Sequence, residues 1–315
     1  MKTSCNHQLY VLFLLCIFLL GFFSSCQRRP KVALVLGGGG AKGAATIGVL
    51  KYIEKADVPV DLVVGTSIGS VIGGLYSVGY SADQIDSIFR AQKWSDYVLS
   101  NWNLLSPSTI FHWSPNLNDN DVLGLVSGEK VVTTLDELLE YRDCSFDELP
   151  IPFRCMAVNV DDFSEVCLDS GNVAKCIRAS MSFPFVFSSV KMNNMELVDG
   201  GMLNNLPVDV ARNLGADIVI AVDISTKSLF GGEKSRESFK DRGLKAMLTW
   251  AFKHPDQEKY KANCVDADLL IRPDVDGFSI ISFRQRDIDQ LVRNGEAAGL
   301  AVFDSLQSIA YRVRR

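Results

Sequence analysis

"VVGTSIGSVIGGLY", residues 63–76, sets Ser67 between Gly65 and Gly69, with an apolar run before it and a helix-like run after it. Two readings of the serine compete. A serine at the start of a helix caps free backbone N–H groups of the first turn. A serine in G-x-S-x-G, between a strand and a helix, is a nucleophile on a sharp corner, where the glycines relieve crowding and the turn exposes Oγ. The pattern alone arises by chance in roughly one chain in ten of this composition, so its placement carries the weight. "DLVV" (61–64) has the character of a buried strand. Ile68 to about Val78 reads as a helix, with Gly69 and Gly73 one turn apart and suited to close packing on a sheet.

Upstream, "KVALVL" (31–36) is another short apolar run, followed by "GGGGAKG" (37–43). A helix is expected over 41–56, with Ile47, Leu50 and Ile53 on one face. Strand, glycine loop, helix, strand, corner, helix is a βαβ order. It predicts the α/β class, a three-layer α/β/α arrangement around a mainly parallel central sheet. Gly38, Gly40 and Gly43 satisfy G-x-G-x-x-G, the fingerprint of a dinucleotide site. That site needs an acidic residue at the end of the second strand, but this strand ends in Val64-Gly65-Thr66-Ser67 and Asp61 stands at its start. A Walker loop fails as well, because Lys42 precedes Gly43. What remains is a loop whose backbone N–H groups can meet an anion at a helix N-terminus: a phosphate, or the oxyanion of an acyl-transfer intermediate.

An activated serine needs a base. The chain has three histidines. His7 lies in the leader, His112 in an aromatic segment, and His254 in the solvent-like "FKHPDQ". Only His254 comes late enough for the Ser…Asp…His order of the elbow hydrolases, so a triad has little support. Asp199-Gly200-Gly201 offers a different base. It follows the strand-like run 195–198, so the carboxylate leaves the carboxyl end of a strand, and two small neighbours leave room around it. A desolvated carboxylate has a raised pKa and can take the serine proton directly. Taken alone, Asp-Gly-Gly would be read as a turn.

Downstream, "FRCMAVNV" (153–160) and "SEVCLDS" (164–170) predict a hairpin, and "NVAKCIRASMS" a helix that stops before Pro184. "SSVKM" and "MELV" flank a tight turn at Asn193-Asn194. "DVARNLG" reads as a helix closed by Gly215, "DIVIAVDI" and "ADLLIRP" as strands, and 286–313 as an amphipathic helix or pair. Residues 81–150 hold Trp94, Trp102 and Trp113 with Tyr97 and Phe111, which suit core packing under a loop, an apolar cover over a site, or a surface that meets lipid.

With 315 residues, 47% of them hydrophobic and 22% charged, the chain can bury a sizeable core. A net charge of −5 without a long like-charge run argues against nucleic acid as a partner. Five cysteines follow the leader (Cys144, Cys155, Cys167, Cys176 and Cys264). The odd number, without C-x-x-C, speaks against a metal site or disulfide framework and for buried thiols. The first 26 residues read as an export leader, with Lys2, an apolar run from Leu9 to Phe23, and Cys26. "FSSC" resembles a bacterial lipoprotein cleavage box in which Cys26 would carry the lipid, apart from Phe23 where leucine is usual. The alternative is an uncleaved anchor, with Arg28 and Arg29 favouring a cytoplasmic body. The expected organisation is a leader over 1–26, a catalytic domain over 31–225, and an extension over 226–315 packed on the same domain.

Glycine loop, Ser67 elbow and Asp199-Gly-Gly, in that order, resemble the bacterial branch of the patatin-like phospholipase family, as does "ASMSFPFVFSSV…LVDGGMLNNLPVDVARNLGADIVIAVDIS" almost throughout. The resemblance covers about residues 32–225. It implies a patatin-like α/β/α fold and a Ser–Asp dyad without histidine, with Ser67 as nucleophile and Asp199 as base. It also implies an oxyanion hole lined by Gly38, Gly39 and Gly40, with no metal or cofactor. Lys42 stands where the family has Arg or Lys, and Gly43, Gly65, Gly69, Gly200 and Gly201 complete its motifs. One departure is Thr46, where bacterial members often have histidine. The implied reaction is hydrolysis of acyl lipid by a serine esterase held at a membrane surface by its lipid anchor, in the bacterial envelope. Two rivals are a non-catalytic lipid-binding lipoprotein on the same fold and a hydrolase of soluble esters.

Overall fold

β1 (Val32–Leu36) shows how the layers arise. All five of its residues are buried, and successive side chains feed different cores. Val32, Leu34 and Leu36 pack into one hydrophobic cluster, Ala33 and Val35 into another on the opposite face. A strand apolar on both faces needs cover on both. A computed structural model describes residues 28–92, 94, 124–126, 128–139, 144–225 and 257–315. Cys26 and the leader, His7, His112, His254, Trp102, Trp113, Tyr97 and Phe111 lie outside the described residues.

After β1 a 3₁₀ turn (Gly40–Lys42) leads into α1 (Gly43–Lys55), then β2 (Leu62–Thr66), α2 (Ile68–Val78) and α3 (Ala82–Ala91). β3 (Gly124–Val126) and α4 (Glu129–Leu138) precede β4 (Phe153–Asn159), which pairs antiparallel with β5 (Ser164–Leu168) in the expected hairpin. Next come α5 (Val173–Ser180), β6 (Phe185–Phe187), β7 (Val190–Met192) and β8 (Met195–Asp199). Asn193 and Asn194, at φ 52° and 59°, turn β7 into β8 with the two positive φ values that a two-residue hairpin asks for. α6 (Val208–Asn213), β9 (Ile218–Val222), α7 (Gln257–Asp266), β10 (Leu269–Ile271), α8 (Gln285–Ala301) and α9 (Phe303–Arg314) complete the described elements.

The main sheet runs β10-β9-β1-β2-β4-β8-β7, with β5 also on β4. β10, β9, β1, β2 and β4 are parallel, while β8, β7 and β5 are antiparallel additions at one end. The sheet is therefore mixed, and mainly parallel at its centre. α1, α2, α3, α5, α8 and α9 cover one face, α6 and α7 the other. The 286–313 stretch is a helix pair broken at Val302. α8 lies so close on α1 that a Cβ on Gly48 would stand 2.2 Å from the Val292 carbonyl oxygen, and one on Gly295 1.9 Å from that of Ala45. Among the described residues no helix is long and apolar enough to cross a membrane.

The thiols depart from expectation in part. Cys144, Cys155 and Cys176 are free and buried, but Cys167 is exposed and Cys264 half-buried. β5 lies beyond β4 as an edge strand, and its alternation turns Leu168 inward and Cys167 outward.

Candidate active site

Ser67 is the single residue between β2 and α2, at φ 55° and ψ −124°. A side-chain-bearing residue avoids positive φ unless its surroundings hold it there. They do so through both backbone groups. The Ser67 N–H donates to Ser180 Oγ at 3.0 Å, and its carbonyl accepts the Ser70 and Val71 N–H groups at 2.8 and 3.3 Å. Ser180 Oγ is itself bonded to Ser70 Oγ at 2.8 Å, so α5 and α2 share the elbow's support. A Cβ at Gly69 would stand 2.2 Å from the Leu36 carbonyl oxygen, and one at Gly65 2.6 Å from that of Gly69. Only glycines let α2 start this close to β1 and β2. The choice between a helix cap and an exposed hydroxyl is decided by the side chain. Ser67 makes no capping bond, and its Oγ donates to Asp199 Oδ2 at 2.6 Å.

The two residues are 132 positions apart, and the sheet register brings them together. β5 occupies one edge of β4 along Cys155–Asn159. β2 and β8 therefore share the other edge. β2 arrives parallel and ends with Thr66 opposite Met156, while β8 arrives antiparallel and ends with Asp199 opposite Ala157. Two strands meeting head-on at adjacent positions of β4 put the residue after one against the last residue of the other. The approach from the opposite direction was not readable in the sequence.

Asp199 is 2% exposed. Burial pushes its pKa up to about 6, against the opposing effect of hydrogen bonds from Ser67 Oγ–H and from the Gly201 N–H to Oδ1 at 2.7 Å. Gly200 packs on the Met156 carbonyl, where a Cβ would stand 2.4 Å away. At pH 7 the carboxyl is mostly ionised yet remains a better base than a solvated carboxylate.

The glycine loop runs past this pair. The Gly37 N–H donates to the Val222 carbonyl at 3.0 Å and the Gly38 N–H to the Asn205 carbonyl at 3.3 Å. Gly39 and Gly40 N–H have no hydrogen-bond partner among the described residues. Gly38 matters for space. A Cβ there would stand 2.5 Å from Asn205 Oδ1 and 3.0 Å from Ser67 Cβ. Gly43 lets Ile68 pack against the start of α1. Lys42, 3% exposed, has its pKa lowered by burial, opposed by the charge of Asp276. Asp61 sits at the opposite end of the sheet, accepting the Val32 N–H at 2.9 Å and pairing with Arg29, where it cannot reach a ligand on the glycine loop.

Three residues without a sequence-based role emerge: Asn204, Asn205 and Ser180. Asn205 holds Gly38 from both sides: its carbonyl accepts the Gly38 N–H, and its Nδ2 donates to the Gly38 carbonyl at 3.1 Å and to Ser225 Oγ at 3.1 Å. The preceding Asn204 carbonyl accepts the Thr66 Oγ1–H at 2.9 Å. Asn204-Asn205 thus braces the ends of β1 and β2 against the segment that carries Asp199. Their only mark in sequence is that they follow Asp-Gly-Gly. Ser180 lies in the family-like run from Ala179, but nothing in that run marks it as the elbow's support.

A cavity of about 290 Å³ opens from Ser67, Asp199 and Gly38–Gly40. Away from that end it is walled by apolar side chains of α2, α3 and α4, among them Val71, Leu75, Phe89 and Leu135. The lining is mostly apolar, with Ser67, Asp199 and Asn205 by the glycine loop and Gln92 and Thr134 among the α3 and α4 residues.

A strained serine against a buried carboxylate, beside free backbone N–H groups on a mainly parallel α/β sheet, defines a protein of the elbow-serine α/β type. The chain belongs to the patatin-like phospholipase family, whose sequence profile matches residues 34–212. It is 29% identical over 311 residues to lysophospholipase nte1 of Aspergillus fumigatus, covering 91% of this chain and 19% of that protein. It is 30% identical over 296 residues to human patatin-like phospholipase domain-containing protein 6, covering 86% of this chain and 20% of that protein. The chain thus spans about a fifth of the length of the curated relatives it matches. Among solved structures it is similar to VipD from Legionella pneumophila, with a TM-score of 0.46 and 14% identity, over 88% of this chain and 67% of that one. The type III effector ExoU gives a TM-score of 0.46 and 12% identity, over 89% of this chain and 54% of that one.

Proposed function

We propose that the protein is a serine acyl hydrolase acting on single-chain acyl lipids, of lysophospholipase type, through a Ser67–Asp199 dyad. The observation that carries this reading is the 2.6 Å bond from Ser67 Oγ to Asp199 Oδ2 in the wall of the apolar cavity. Ser67 Oγ attacks the ester carbonyl as its proton passes to Asp199 Oδ2. Gly39 and Gly40 N–H receive the developing oxyanion, each donor contributing a few kcal/mol. The tetrahedral intermediate collapses to an acyl-Ser67, and the proton on Asp199 leaves with the alcohol. Water, deprotonated by the same carboxylate, then attacks the acyl carbon, and Asp199 returns that proton to Ser67 Oγ as the fatty acid leaves.

Lipid substrate is favoured by the cavity's apolar walls and by the relatives named lysophospholipase. Cys26 remains the proposed lipid attachment point that keeps the enzyme at a membrane, which palmitate-analogue labelling lost in Cys26→Ala would support. The test of the reaction is release of fatty acid from micellar lysophosphatidylcholine, beside a short soluble ester, by the wild type and Ser67→Ala. Faster turnover of the micellar lipid, abolished in Ser67→Ala, is expected. Lipid binding without turnover would favour a non-catalytic lipoprotein, and preference for the soluble ester a general esterase.

A further inference from the structure

The segment Ser279–Phe283, between β10 and α8, lies beyond residues 34–212 covered by the family profile, yet it leans on the site. The Ile280 carbonyl accepts the Ala41 N–H at 2.8 Å, and the backbone there passes so near that a Cβ on Gly40 would stand 2.2 Å from the same oxygen. The segment is therefore fixed to the glycine loop by its main chain, leaving its side chains to face the cavity. Ile280, Ile281 and Phe283 all line it. Phe283 stacks on Trp94 with centroids 4.8 Å apart and planes 18° apart, and Trp94 in turn rests on Phe89 of α3 at 4.6 Å. Ile281 is 42% exposed, so it stands at the rim.

α2 also lines the cavity, its Ile68, Val71, Ile72 and Leu75 recurring on one helical face. From Ser67 to Leu75 the helix rises ~12 Å. An acyl chain bound to Ser67 would lie along this ridge, in the cavity that the Ile280–Phe283 segment also lines. We infer that Ile281 and Phe283 set the acyl-chain length the enzyme accepts, Phe283 by limiting the depth of the channel against Trp94 and Ile281 by setting its width at the rim. This rests on the acyl-hydrolase reading above and adds that a segment beyond the profile-matched residues contributes to the selectivity.

Hydrolysis of p-nitrophenyl butyrate, octanoate and palmitate by the full chain tests it, with kcat/KM for palmitate over octanoate as the readout. The ratio is internal to each preparation, so partial unfolding of a variant cancels. Phe283→Ala is expected to raise the ratio by about ten-fold or more, since an apolar pocket senses even one methylene on about that scale. Ile281→Trp is expected to lower it. Ratios in both variants equal to the wild-type value would overturn the inference. If esterase activity survives in Ser67→Ala, the Ser67–Asp199 reading fails instead, and the two failures are thereby told apart.

Discussion

The Asp199 carboxyl pays for its burial. Its pKa rises from the ordinary carboxylate value of 3.8 to about 6, so between those values the native state holds a proton that the unfolded chain has released. Stability contributed by this residue is therefore lost as pH rises from about 4 to about 6 and stays lost above. Asp199→Asn removes the charge and can still accept from Gly201. It is expected to unfold at higher urea concentration than the wild type at pH 8, by about 1–3 kcal/mol, with the advantage gone at pH 4. Equal midpoints at pH 8 would mean that the carboxylate is not desolvated. Asn205 makes a different prediction. It fixes Gly38, and so the direction of the next two amides, without reaching the reacting atoms. Asn205→Leu is expected to lower kcat by about ten-fold or more on lysophosphatidylcholine while KM changes little, since misplaced oxyanion donors act on the transition state. A rise in KM alone would count against that role.

Elements that form from contiguous pattern were legible in the sequence. β1 and β2 announce themselves as short apolar runs, α2 begins where the elbow pattern says it must, and Asn193-Asn194 turns as its positive φ values require. Contacts made by pairing were not. Nothing in "MELVDGG" says that β8 runs against β4, and only that reversal puts Asp199 opposite Ser67. Nothing in the family-like run from Ala179 marks Ser180 as the elbow's support, and "GFSIISF" has neither period, so its packing on the glycine loop is a tertiary fact. The C-terminal helices occupy a middle ground. Their amphipathic pattern predicts burial against something, and the Gly48–Gly295 crossing identifies α1 as that partner. Gly48→Ala should force the helices apart and cost about 1–3 kcal/mol, seen as a lower urea midpoint without change in slope. An unchanged midpoint would mean that the crossing yields freely.

Across the whole molecule, the candidate site gathers at one end of one sheet. The glycine loop follows β1, the elbow follows β2, Asn204-Asn205 braces both, and β8 delivers the carboxylate from the far side. The family match covers these parts, while the C-terminal segment closes the cavity's wall. None of the three histidines is needed for a proton transfer in this scheme. That makes the base the central issue, and it can be read without knowing the lipid. The rate at which a fluorophosphonate labels Ser67 should be followed from pH 4 to pH 9 in the wild type, Asp199→Asn and Ser67→Ala. The wild-type rate should rise with a midpoint near pH 6, as Asp199 ionises, and then level off. Asp199→Asn should lose about 10²–10⁴-fold of it, and Ser67→Ala should not label. Labelling of Asp199→Asn at the wild-type rate, with the same midpoint, would assign the base to another residue.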